Sequence, residues 1–562
     1  MKIQSLLIKR MLLICSMLPV LSSPLLAAEN THTPEPNKPA SEPGQQAVAP
    51  TEQLEQEQPE NEQQLKFSIW EFQVSGNTVL EQTLVERSVY QFLGPGKTVE
   101  DVDAASVALQ TLYKDNGYPT VLVNIPQQDV SKGIVKLDVI EGKVDRLKIS
   151  GSRYFSLATI REKVPALTEG EIPHLPTVQE QLQTLNTTNA DLRATPIFRP
   201  GRSPGTVAVE LRIKDNAPLH GSLEVNGRNS IGTTRTRLVA NLSYANLWLK
   251  NHSFSLTYQT SPEDTKEVRV LVGSYVMPIS DTGDRLAMYA VKSDSETGVS
   301  SGGALSVVGK GKIAGARWVK PLKSEKRYYH SIVFGLDYKD FDEVVGLVDA
   351  DSIVTPINYT MFSMDYNGTV LSLSSTTTFT ASVKFAPRAF GNNTFEFENK
   401  RFEANPNFSI LNALISNEYR LNNGIKLHST VAGQFANQAL VSNEQFSIGG
   451  AETVRGYYES QVLADDAAWA SFEVQSPDLK SLKKRGFKDA HLKAFIEGAA
   501  TRIHEPLVGT DDREQISGAG IGLRLATKKS FQLALDVASA LKANSVVEKG
   551  DIRLHFLLRG AF

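Results

Sequence analysis

The chain contains a single cysteine in 562 residues, Cys15. It sits inside an apolar leader, so the chain beyond the leader has no thiol for a disulfide or a thiolate metal site. Ile14, just before it, is not the small residue a lipoprotein site would want. No later segment offers about 20 consecutive apolar residues, which excludes a transmembrane helix. Charge of one sign is lacking too: the formal net charge is −3, with no basic excess to suggest nucleic acid. There is no His-Glu-x-x-His, no P-loop and no Cys–His pair. The expectation is a protein that is not an enzyme and carries no cofactor and no metal.

What is present begins with a secretory leader. Lys2, Lys9 and Arg10 precede an apolar run over 11–26, and Ala27-Ala28 gives a small-residue cleavage site, so residues 1–28 read as a signal peptide. The chain is expected to be exported, and a membrane crossing must then be made by a closed barrel. Residues 29–66 are rich in Pro, Glu, Gln and Asn and poor in large apolar side chains. Such a linker buries too little to offset its ordering entropy, and it is expected to be disordered. Residues 51–58 could alternatively form a short polar helix.

Order is expected from Phe67. Phe72-Gln73-Val74-Ser75-Gly76-Asn77-Thr78-Val79-Leu80 alternates as a strand and closes on a Gly-Asn turn, with Thr78 a candidate helix cap. Two helices follow. Leu84, Val85, Val89 and Phe92 share a face of the first; Val102, Ala105, Val107, Leu109 and Leu112 do so less cleanly in the second. Strands near 120–125 and 134–140 complete the unit. The order strand–helix–helix–strand–strand then recurs, with a first strand and glycine turn over 144–151, helices over 160–164 and 178–185, and a closing strand over 206–213. A repeat of this length and order resembles two polypeptide-transport-associated (POTRA) domains in tandem, over 67–142 and 143–217. Phe72, Val74, Gly76 and Asn77 carry the mark of the first. Arg199-Pro200-Gly201 followed by Pro204-Gly205 resembles the two-partner secretion class in the second.

From 218 to 562 the texture is that of an antiparallel β-barrel. Period-two runs recur between polar or glycine-containing loops, as at 235–243 and 253–259. Phe531, Leu533, Leu535 and Val537 alternate with Gln532, Ala534 and Asp536. Ile552, Leu554, Phe556, Leu558 and Phe562 share one face of the last strand, opposite Arg553, His555 and Arg559. One face suits lipid and the other a wet lumen. His504 and His555 read as ordinary lumen or loop residues, and Asp465-Asp466 and Asp511-Asp512 as solvated turn pairs. Sixteen strands would allow about 21 residues each with loop, where a tilted membrane strand needs about 9–11; fourteen or eighteen also fit.

One loop, 446–460, stands apart. Phe446-Ser447-Ile448-Gly449-Gly450-Ala451-Glu452-Thr453-Val454-Arg455-Gly456-Tyr457-Tyr458 holds an arginine between a flexible Gly-Gly step and paired tyrosines. The arginine stays charged at any accessible pH, so inside a pore it needs a partner. Val454-Arg455-Gly456-Tyr457 resembles the tip of the inward-folded loop in barrels that move or insert polypeptides across the bacterial outer membrane. In those barrels the loop arginine meets an acidic residue in a Phe-x-Asp-x-Gly motif on an inner wall strand. The matching positions here are Phe495, Glu497 and Ala499. Asp is replaced by Glu and Gly by Ala, yet a glutamate still accepts a bidentate guanidinium bond.

Taken together, leader, linker, two POTRA-like modules, barrel, loop and terminal Phe resemble the TpsB transporters of two-partner secretion, the haemolysin secretion/activation group. Ser261-Pro262, Tyr275 with Pro278, and Ser476-Pro477 add to the likeness. The resemblance implies an outer-membrane pore of a Gram-negative cell, with POTRA domains in the periplasm that capture an unfolded TpsA-type exoprotein. Sixteen strands are what it implies. It makes Phe556 and Phe562 a terminal signal to the barrel-assembly machinery, and outer-membrane lipid a partner. Nucleic acid is not expected. The alternatives are an outer-membrane assembly factor, which shares the loop motif but usually carries more POTRA repeats, and a passive porin or receptor.

Overall fold

The computed structural model describes residues 66–562 apart from 281, 296–298, 302–304, 308, 326, 346–352, 389, 391–392, 484–485 and 529. The expected signal peptide, and the linker up to residue 65, lie outside the described residues. The chain divides into two compact units that meet between Ala217 and Pro218.

The first unit contains two α+β modules. In the first, β1 (Phe67–Ile69) pairs with β3 (Gly94–Lys97). A sheet of β2 (Glu71–Ser75), β5 (Ile134–Ile140) and β4 (Leu122–Asn124) runs in that spatial order. The β2–β5 pair is parallel and so needs a crossover, which the helices Gln82–Val89 and Val99–Asp115 supply. Val85, Val89, Val102, Ala105, Leu109 and Tyr113 from the helices pack against Val135, Leu137 and Val139 of β5, and Phe72 and Val74 are partly buried against the same core. Each fully buried side chain of this size contributes about 1.5–3 kcal/mol. Val107, assigned to that core from its spacing, is instead 62% exposed. Its place is taken by Ser106 and Tyr113, because a helix of 17 residues shows only one stripe to the sheet.

The turn after β2 explains the Gly-Asn pair. Gly76 has φ +82°, and a Cβ there would stand 2.2 Å from the Val139 carbonyl oxygen. Asn77 Oδ1 accepts from Tyr113 Oη at 2.7 Å and from Leu80 N at 3.2 Å. Thr78 caps no helix. The first helix starts at Gln82 after Glu81, and Thr78 N instead donates to Glu141 Oε1 at 2.7 Å, joined by Val79 N at 3.1 Å. The carboxylate at the end of β5 outcompetes the cap.

The second module repeats the plan with β6 (Lys143–Ser150), β7 (Leu192–Pro200) and β8 (Thr206–Asp215) in the order β6-β8-β7, and helices Leu157–Glu162 and Leu175–Thr188. The turn device recurs, with Asp215 in the place of Glu141. Gly151 has φ +91°, and its Cβ would stand 2.3 Å from the Ile213 carbonyl oxygen. Asp215 Oδ2 accepts from Arg153 N and Tyr154 N, both at 2.7 Å.

The second unit is a closed barrel of sixteen strands, every neighbouring pair antiparallel. Its first strands are β9 (Leu219–Asn226), β10 (Arg237–Leu247), β11 (His252–Thr260), β12 (Val268–Pro278) and β13 (Arg285–Ser295). A hairpin of β14 (Val299–Ser301) and β15 (Leu305–Val307) stands outside the wall. The wall continues with β16 (Gly311–Pro321), β17 (Tyr328–Val345), β18 (Ile353–Leu371), β19 (Ser375–Ala386), β20 (Phe408–Arg420) and β21 (Lys426–Ala436). A second hairpin, β22 (Phe446–Ile448) with β23 (Val462–Ala464), is a separate two-stranded sheet and not part of the wall. The wall ends with β24 (Asp466–Gln475), β25 (Phe487–Arg502), β26 (Arg513–Thr527), β27 (Phe531–Ala540) and β28 (Ile552–Ala561).

Closure is made by β28 on β9. Five residue pairs, from Leu557–Asn226 to Ala561–Ser222, form that seam, against eight between β9 and β10. Phe562 extends it by exchanging backbone bonds with Gly221 at 3.0 and 3.2 Å, and its ring lies over that glycine. The predicted alternation holds: Phe531, Val537, Ile552, Leu554 and Leu558 are exposed on the outer face, while Asp536 and His555 are buried on the inner one. The two ends of the barrel differ. One carries the chain termini of the wall, at Leu219 and Ala561, and short turns; the other carries the long loops, and is called the loop end below.

Candidate functional site

The loop 437–465 joins β21 to β24 at the loop end and folds back into the barrel. Its course depends on glycine: Gly449, Gly450 and Gly456 have φ of +105°, +104° and +102°, a region that side chains with a Cβ rarely adopt. The wall makes room as well, since a Cβ at Gly518 on β26 would stand 2.0 Å from the Arg455 carbonyl oxygen. Val454 and Tyr457 are fully buried. Tyr457 Oη lies 2.5 Å from the Lys542 carbonyl and 3.1 Å from that of Ser517, and Trp469 Nε1 donates to Thr453 O at 2.9 Å.

Arg455, 3% exposed, is held on the inner wall. Its Nε donates to both carboxylate oxygens of Glu497 at 3.1 Å, Nη2 reaches Oε1 at 2.5 Å, and its own backbone N–H meets Oε2 at 2.8 Å. The guanidinium lies over the Phe495 ring, 3.3 Å from its centroid. Both residues point inward from β25, as their period-two spacing requires.

Two further carboxylates were not singled out from sequence. Arg455 Nη2 also binds Glu473 of β24, and Nη1 stands 3.3 Å from Asp536 Oδ2 of β27. Each has a second cation: Lys493 Nζ is 2.6 Å from Glu473, and Arg524 makes a bidentate contact with Asp536 at 2.7 and 2.6 Å. Three cations thus meet three carboxylates. Asp536 was legible as an inward position of its strand; Glu473 required the register, which sets it opposite Phe495.

His555 is no ordinary wall residue. It is 4% exposed, and its Nε2 accepts from Gly456 N at 3.2 Å. Asp465, expected as a solvated turn residue, is fully buried. Arg401 clasps it in a bidentate pair at 2.5 and 2.7 Å, and Leu440 N, Gln445 Nε2 and His504 N donate to it at 3.0, 3.1 and 2.7 Å. Asp466 meets His504 Nε2 at 2.8 Å. Acidic side chains beside a turn usually remain in water; these are taken inside because three loops converge on them. Asp511 and Asp512 are exposed as expected.

Beside that latch, the lumen is filled towards the loop end. Helix Thr394–Lys400, in the loop between β19 and β20, places Phe397 against inward-facing Phe341, Ile357, Tyr359, Phe408 and Ile410, with Leu440 and Val441 of the 437–465 loop in the same apolar cluster. Nothing in the helix's own sequence reveals this role, since the cluster it joins is drawn from eight strands.

The sequence profile described as haemolysin secretion/activation protein ShlB/FhaC/HecB matches residues 205–525, well over half of the chain. The chain belongs to that family. A second profile, POTRA domain of ShlB type, matches residues 67–142. The heme/hemopexin transporter protein HuxB of Haemophilus influenzae is 21% identical over 500 residues, covering 86% of this chain and 85% of the relative. The outer membrane transporter CdiB of Dickeya dadantii strain 3937 is 23% identical over 182 residues, 32% of each chain. Among solved structures, CdiB from Escherichia coli aligns with a TM-score of 0.60 at 17% identity, covering 91% of this chain and 93% of that one. BamA from Haemophilus ducreyi lacking POTRA domains 1–3 aligns at 0.56 and 14% identity, covering 88% and 100%. At these identities the solved structures establish the fold alone. Family membership makes this a TpsB-type transporter of the outer membrane, with its POTRA region in the periplasm and an exoprotein as client. It supports the secretion pore over the assembly factor. The loop end of the barrel therefore faces the cell exterior.

Proposed function

We propose that the barrel is a gated export pore whose gate is the 437–465 loop, pinned at Val454, Arg455, Gly456 and Tyr457 to Phe495 and Glu497. The carrying observation is the buried contact of Arg455 with Glu473, Glu497 and Asp536, a bond set that must break if the loop is to leave the lumen. The apolar cluster around Phe397 makes the resting pore closed on its outer side. The second module acts as a second POTRA domain, and an unfolded client adds to the sheet edges of the two modules before threading. Folding of the client outside the cell draws it through. Phe72, Val74, Gly76 and Asn77 serve the fold of the first module and not the client, since their contacts run inward. Phe556 and Phe562 present the terminal strand to the barrel-assembly machinery, and the exposed outer face meets lipid.

The test is a quantitative comparison of secreted and outer-membrane proteins with and without this chain. Loss of one large protein from medium or cell surface, with other barrels unchanged, is expected. A broad fall in many barrels would overturn the export reading.

A further inference from the structure

The seam between β9 and β28 is paired only towards the periplasmic end. β9 stops at Asn226, and the last backbone bond across the seam is Gly227 N to Phe556 O at 3.0 Å. Residues 552–555 of β28 therefore have no partner in β9 and are paired on the β27 side alone. An open stretch of strand edge inside a membrane protein would leave backbone polar groups without partners.

The gating loop lies across this stretch and touches both flanks. On the β9 flank, Arg228 Nη2 meets Glu452 at 2.6 Å, and Glu459 N donates to Asn229 O at 3.1 Å. On the β28 flank, Gly456 N donates to His555, and the Arg553 guanidinium stacks 3.7 Å from the Tyr458 ring centroid. Arg553 also binds Asn229 directly, tying one flank to the other beneath the loop. The Glu459 carboxylate is turned back into the loop, where it accepts Ala451 N at 2.8 Å and fixes the segment carrying Glu452. None of these contacts involves Glu473, Glu497 or Asp536.

We propose that Arg228 and Arg553 are positioning residues that fasten the gating loop across the outer half of the seam, so that the loop closes the barrel wall as well as the pore. Release of the loop then loosens the β9–β28 junction, and a loosened junction frees the loop. The proposal rests on the loop being the moving element. Its readouts need no client, so its failure leaves the secretion reading standing.

The full-length barrel is tested with Arg228→Glu, and with the charge swap Arg228→Glu plus Glu452→Arg. Two readouts are taken: surface labelling of Ser460→Cys by an impermeant maleimide, and the temperature at which the folded barrel loses its compact band in detergent gels. Arg228→Glu is expected to raise the labelling rate about threefold to tenfold, the effect of losing one partly exposed ion pair and adding a repulsion. It is also expected to lower the gel transition, and the charge swap should restore both values. A disulfide between Val225→Cys and Leu558→Cys, facing positions of the seam, should restore the gel transition and, because the coupling is reciprocal, slow the labelling part of the way back. Should Arg228→Glu not accumulate, Glu452→Gln on the exposed side of the loop removes the same bond. A swap that restores neither value, or a disulfide that leaves the transition low, would overturn the proposal.

Discussion

Arg455→Ala isolates what the buried charge cluster does. Of the three carboxylates around Arg455, two keep another cation: Glu473 retains Lys493 and Asp536 retains Arg524. Glu497 does not. It keeps only Ser471 Oγ at 3.1 Å and the backbone N–H of position 455 at 2.8 Å. The substitution therefore strands one buried carboxylate, and breaking such a pair costs about 3–5 kcal/mol. At about 1.4 kcal/mol per tenfold, the docked loop loses between about a hundredfold and a few thousandfold in population relative to the undocked one. The assay uses Val454→Cys, fully buried when the loop is docked, in a chain whose sole other cysteine is Cys15. Labelling by an impermeant maleimide on whole cells should be slow in the parent and faster by that factor with Arg455→Ala, up to the rate of a free thiol. Adding Glu497→Gln should return much of the protection, because the stranded charge is gone. The barrel itself should still insert, while client export falls. Equal labelling in parent and Arg455→Ala, or no recovery with Glu497→Gln, would refute the reasoning.

Other outcomes follow from the same structure. Gly518→Ala should undock the loop without altering any charge, because its Cβ would meet the Arg455 carbonyl at 2.0 Å; the Val454→Cys labelling rate reports it. Arg401→Ala strands fully buried Asp465 and should release helix Thr394–Lys400 from the lumen, seen as a rise in open-channel current in planar bilayers; an unchanged current would mean that the helix is not a plug. Burial, reinforced by Glu141, pushes the Tyr113 phenol up to about 12, from an unfolded value near 10. The folded first module thus favours the neutral phenol, and its stabilisation is complete below pH ~10 and lost as pH climbs towards ~12. Tyr113→Phe should abolish that part of the alkaline decline, measured as protease resistance of the modules against pH, while costing about 1 kcal/mol for the bond to Asn77.

Local signals determined a large part of this protein. Period-two alternation gave the barrel and its inner and outer faces, because successive side chains of a strand point to opposite sides; Asp536 and Phe531 could be assigned without any neighbour. Gly76 and Gly151 marked the two module turns, because only glycine fits where a Cβ would strike a carbonyl. The Arg455–Glu497 pair was legible because one motif carries the charge and another its counterpart. Thr78, Asp465 and His555 depart from their local reading for one shared reason: each has partners beyond its own segment, whereas Val107 is turned to solvent by the helix that carries it. Thr78 is claimed by Glu141, 63 residues away, and Asp465 by Arg401, 64 residues away. The sequence by itself determined which residues form the outer face of the barrel, where the modules repeat and that one loop bears a charge needing a partner. Only tertiary structure decided how many carboxylates surround that charge, what fills the outer lumen and how far the seam is paired, because register and loop convergence place side chains together that no spacing along the chain relates.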